Sequence, residues 1–129
     1  MKVPELDQVD DAALKRWSGS IDPLKSAAAD ANLAFNVVDL AHAADKTALF
    51  AALDKGLALP EHFGANFDAL ADCLEDRDWL GTRGRVIAIQ NAAAFRKAHA
   101  RDFGMLEEIL SEASAYWQER HVAFWVFVA

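Results

Sequence analysis

The chain has 129 residues, 53% of them hydrophobic and 26% charged, which suits one soluble domain with a real core. Twenty acids against thirteen bases give a net charge of −7, which argues against nucleic acid and anionic membranes and favours a basic partner. No apolar run approaches the ~18 residues of a membrane span, and the single cysteine excludes an intrachain disulfide.

Residues 1–31 read as an N-terminal extension, punctuated by Pro4, Gly19 and Pro23, ahead of a domain over 32–129. Within it, Asp10 to Trp17 predicts a short helix with Leu14 and Trp17 on one face. Leu24 to Ala31 adds another turn or two. Its N-terminus, Met-Lys-Val-Pro-Glu-Leu-Asp, has no apolar signal core, so the cytoplasm is the expected location.

The first strand is expected over 34–40, where Phe35, Val37 and Val38 are strand formers. A helix follows over 47–55, capped by Asp45 or Thr47, with Leu49, Phe50 and Leu53 as its apolar stripe. Gly56 marks its end. Pro60 fits neither a helix interior nor a central strand, so residues 57–65 are a loop. Asn66 opens a second helix to Leu74, with Phe67, Leu70 and Leu74 facing inward.

Arg85 to Gln90 reads as a strand buried on both faces, as in a parallel sheet. Two helices follow, over 92–101 and 105–120. The second carries Met105, Leu106, Ile109, Leu110, Ala113 and Trp117 at helical spacing. The last strand, 122–129, is almost wholly apolar. Strands separated by helices predict a small α/β fold, a three-stranded parallel sheet packed with helices and joined by right-handed connections. Trp117 and Trp125 belong to the core. Trp79 is read as a loop packing residue rather than a rim contact, and Trp17 as a staple for the extension.

Little in the chain suggests catalysis. There is no Gly-rich phosphate loop and no Gly-x-Ser-x-Gly elbow. His42, His62, His99 and His121 show no ligand spacing, and no metal or other cofactor is implied. Cys73, beside Leu70 and Leu74, reads as a buried structural thiol. Asp68 and Asp72 lie four residues apart, so they share one helix face. An acid/base role for the pair needs separated environments and a pocket, which neighbours on one exposed face do not offer. A pair of acids aimed off a helix start is well suited to meet a cationic surface.

The stretch that carries these acids supplies Leu59, Pro60, Phe63, Gly64, Asn66, Phe67, Asp68, Ala69, Leu70, Asp72 and Leu74. It resembles the barstar family, the intracellular inhibitors of secreted bacterial ribonucleases. The resemblance spans a loop and a helix. It extends more weakly from about Leu33 to Ala129 and leaves out about the first thirty residues. It implies the three-stranded α/β architecture read above. It also implies an immunity function, in which a basic ribonuclease or ribonuclease-like toxin is bound and its active site blocked.

By position in the motif, the resemblance places the partner-binding surface on His62, Gly64, Asn66, Phe67, Asp68, Ala71 and Asp72. Glu112, on the later helix, matches a further acidic contact. Carboxylates on such a plug would imitate the charge of an RNA backbone. Two positions depart from the family. His62 stands where tyrosine is common, which keeps a flat ring but adds a titratable one. Ala71 stands where the best-known member has tryptophan, so a large aromatic anchor is missing. Two other functions remain open: a binding module for a non-nuclease basic protein, and an enzyme using the Asp68/Asp72 pair.

Overall fold

A computed structural model describes residues 1–129. After a single 3-10 turn at Val9–Asp11, the elements run β1 (Leu14–Arg16), α1 (Asp22–Asp30), β2 (Ala34–Asp39) and α2 (Lys46–Leu57). They continue with α3 (Phe67–Leu74), α4 (Arg77–Leu80), β3 (Arg85–Gln90), α5 (Ala93–Ala98), α6 (Ala100–Gln118) and β4 (Phe124–Val128). The sheet is parallel throughout, in the order β1-β4-β3-β2.

The mixed α/β architecture with a parallel sheet is the one expected, but the sheet has four strands, not three. The added strand is β1, inside the stretch Asp10–Trp17 that the sequence suggested as a helix. Leu14 and Trp17 were read as one helical face because they are three residues apart. In extended chain, an odd separation sends side chains to opposite sides. Leu14 accordingly packs with one core and Trp17 with the other. The strand also covers what would be the open edge of apolar β4. Trp17 N–H donates to Val128 O at 2.9 Å and Val126 N–H to Ala13 O at 3.2 Å, extending that ladder.

Alternation along the central strands divides the core in two. Ile87, Ile89, Phe124, Val126 and Val128 face the layer formed by α2, α3 and α6. Val86, Trp125 and Phe127 face α1 and the N-terminal segment, where Leu6, Trp17, Leu24 and Ala28 are buried. Trp17 meets Phe127 edge-on with centroids 5.8 Å apart, the staple expected of it. All five residues of β4 are buried.

Three smaller expectations are corrected. Gly56 lies inside α2 rather than ending it, and the left-handed terminal residue is Ala58, at φ 50°. Glycine is needed at 56 because a Cβ there would lie 2.5 Å from Val37 O. Met105 is 44% exposed and not part of the α6 stripe. α5 is shorter than its predicted span, and α6 begins five residues earlier than 105, at Ala100. No helix is long and apolar enough to cross a membrane.

Candidate functional site

The candidate surface is built from the α2–α3 loop and the outer face of α3. Leu59 is buried and anchors the start of the loop. Phe63 N–H donates to Pro60 O at 2.9 Å, closing a turn. Trp79, half-buried, donates its indole N–H to Leu57 O at 2.9 Å and holds the end of α2 from the other side. This supports a packing role, although Trp79 lies in α4 and not in a loop.

Asn66 joins loop to helix through both ends of its amide. Its Oδ1 accepts from Ala69 N–H at 2.7 Å, capping α3, and its Nδ2 donates to Gly64 O at 3.2 Å. Behind the cap, the Phe67 ring meets Phe50 edge-on with centroids 4.9 Å apart. Lys46 places its ammonium 5.2 Å from the Phe67 centroid. Leu70, Cys73 and Leu74 are buried on the same inner face. The start of α3 is therefore fixed before any partner arrives.

The outer face carries Asp68 and Asp72, both exposed. Neither has an internal salt bridge or side-chain hydrogen bond. Two like charges at this spacing cost the helix a few tenths of a kcal/mol, and the position of Asp68 in the first turn offsets part of that. Ala71, half-buried, packs against the core instead of standing out from the surface.

A depression of about 280 Å³ opens beside Asp72, lined by His62, Gly64, Ala69, Asp72, Cys73 and Asp76. The structure thus brings His62, Gly64 and Asp72 around one cavity. Cys73 contributes only its buried side. Burial pushes its thiol up, and the charges of Asp76, Asp72 and Asp54 push it further, so it is a poor nucleophile.

Glu112 is exposed on α6, and α6 packs against α3. The motif did not mark Glu75, whose carboxyl feels the charge of Glu112. Burial raises the Glu75 carboxyl above the ordinary glutamate range. The charge of Glu112 adds to the rise, Arg120 opposes it, and Asp72 adds a smaller part. A signal was present: Glu75 opens the acidic run Glu75-Asp-Arg-Asp78 just beyond the motif helix. The acidic surface is wider than the motif alone marks, running from Asp68 past Asp72 to Glu75 and Glu112.

A family model described as Barstar (barnase inhibitor) matches residues 33–129, well over half of the chain. The chain belongs to the barstar family, whose members are inhibitors rather than enzymes. No curated protein matches it.

Proposed function

We propose that this barstar-family chain binds a basic ribonuclease or ribonuclease-like toxin in the cytoplasm and blocks its active site. The contact surface in this reading is His62, Gly64, Asn66, Phe67, Asp68, Ala71, Asp72 and Glu112, with Glu75 and Asp76 added at its edge. The observation that carries the reading is the unpaired state of Asp68 and Asp72 on a helix start already locked by Asn66 and Phe67.

A ribonuclease active site gathers cations to hold phosphates, and rigid carboxylates meet those cations without first losing flexibility. Nothing is transformed; inhibition is steric and electrostatic. The net charge of −7 steers a basic partner toward the surface. We assign this activity to residues 32–129, with residues 1–31 as an extension that supplies the edge strand β1 and packs α1 on the second face of the sheet.

The departures at His62 and Ala71 favour a partner shaped differently from barnase, or weaker inhibition. The test is an RNA-cleavage assay over a panel of secreted bacterial ribonucleases, barnase included, with and without the purified chain. Stoichiometric loss of cleavage for at least one enzyme is expected. Capture of a basic protein without ribonuclease activity would favour the non-nuclease binding module instead.

A further inference from the structure

Phe63 and Ala65 line a different cavity from His62 and Gly64. They wall a groove of about 450 Å³ against the outer face of α2. Phe50, Ala51 and Asp54 supply the other wall, at the i, i+1 and i+4 positions of that helix. Phe50 is buried and forms the floor, Phe63 is half-buried, and the small exposed side chains of Ala51 and Ala65 leave the groove open. Asn66, which caps α3, borders this groove too, so it is continuous with the acidic surface.

The two ends of the groove differ in charge. Lys46 lies at one end, its ammonium already over the Phe67 ring. Asp54 lies about 12 Å further along the helix, exposed and without an internal salt bridge or side-chain hydrogen bond. Its charge reaches Cys73 together with those of Asp72 and Asp76, which places it in the same negative field.

Two phenylalanine rings and one free carboxylate select a particular side chain. An aromatic or aliphatic occupant would desolvate Asp54 and leave it unpaired. A planar guanidinium stacks on an aromatic face and pairs a carboxylate through two parallel N–H groups, which a lysine ammonium cannot do. We propose that this groove seats an arginine of the basic partner, stacked on Phe63 and paired with Asp54. It is a second cation site beside the Asp68/Asp72 pair, and it supplies an anchor where Ala71 offers none. The inference rests on the inhibitory reading for its partner, but the groove can be tested without one.

The first arm titrates arginine amide into the labelled full chain by NMR, with lysine amide as control. Saturable shifts at Asp54, Phe63 and Ala65 are expected, stronger for arginine amide and lost in Asp54→Asn. No shifts there, or equal shifts from lysine amide, would overturn the groove. The second arm measures affinity for the inhibited ribonuclease. Asp54→Asn, which removes a charged partner, and Ala51→Trp, which fills the groove, are each expected to weaken binding roughly tenfold. Wild-type affinity in both variants would overturn the groove while leaving the Asp72 contact standing. Intact arginine shifts with no ribonuclease of the panel inhibited by the wild-type chain would overturn the inhibitory reading and the partner with it.

Discussion

Trp117 donates its buried indole N–H to the carbonyl of Leu74 at 2.8 Å, fastening the last turn of α6 to the last residue of α3. The bond satisfies a carbonyl that the end of α3 would otherwise leave without an intrahelical partner. It also sets Glu112, five residues earlier on α6, near Glu75 just beyond the end of α3. The reach of the acidic surface thus depends on a core contact whose donor, Trp117, lies outside the motif.

Replacing Trp117 with Phe keeps most of the apolar volume but strands the Leu74 carbonyl. A stability loss of about 1–3 kcal/mol is expected in denaturant unfolding. The Glu75 carboxyl, followed by NMR against pH, should titrate closer to an ordinary glutamate if α6 moves away. An unchanged unfolding midpoint would show that water replaces the indole without cost.

Glu75 carries a carboxyl raised by burial, by Glu112 and by Asp72. A group raised in the folded state contributes stability that is fully present below its unfolded value, near 4.5. That contribution is lost as pH rises through the higher folded value. Glu75→Gln should therefore be more stable than wild type at neutral pH, by up to about 0.5 kcal/mol. The difference should shrink to nothing in acid below that unfolded value. Thermal unfolding at pH 7 and pH 4 checks the sign. The same variant is expected to bind a basic ribonuclease less tightly, because a charge of the surface is gone.

Gly56 has no room for a side chain. A Cβ would lie 2.5 Å from Val37 O and 2.9 Å from a Val38 methyl, and the first of these is backbone. Gly56→Ala should destabilise by about 1–3 kcal/mol despite the better helix propensity of alanine. Equilibrium unfolding decides this; a gain in stability would mean that α2 slides freely along β2.

Association with the ribonuclease should be fast at low ionic strength and slow as salt is added, since a −7 chain is steered to a basic surface. Dissociation should respond less. Stopped-flow rates over a salt series measure both. An association rate indifferent to salt would point to an apolar contact surface.

Most of the fold was legible because its signals are local and repeated. The apolar runs 85–90 and 122–129 mark strands buried on both faces, and both are central in the sheet. Asn66 was legible as a cap and serves as one, and of the two candidates Asp45 and Thr47 it is Asp45 that caps α2. What escaped the sequence depends on distant partners. Leu14 to Arg16 is extended because it has the edge of β4 to pair with, which no spacing within Asp10–Trp17 reveals. Gly56 is a glycine because Val37 passes against it. In the site, the motif marked Asp68 and Asp72 directly. Glu75 stood beside the motif in the sequence, but its coupling to Glu112 required the packing of α6 on α3, and the Asp54 groove required the loop to fold back on α2.

The central claim is that the free carboxylates of α3 hold the partner's cations. Calorimetric titration of Asp72→Ala against the ribonuclease that the wild-type chain inhibits tests it most directly. Removing the carboxylate should cost about 2–5 kcal/mol of binding, much of it from cations left without a partner. Folding stability should stay within about 0.5 kcal/mol of wild type, because the side chain is exposed. A binding change below about 0.5 kcal/mol in a folded variant would contradict the account and take Asp72 out of the interface.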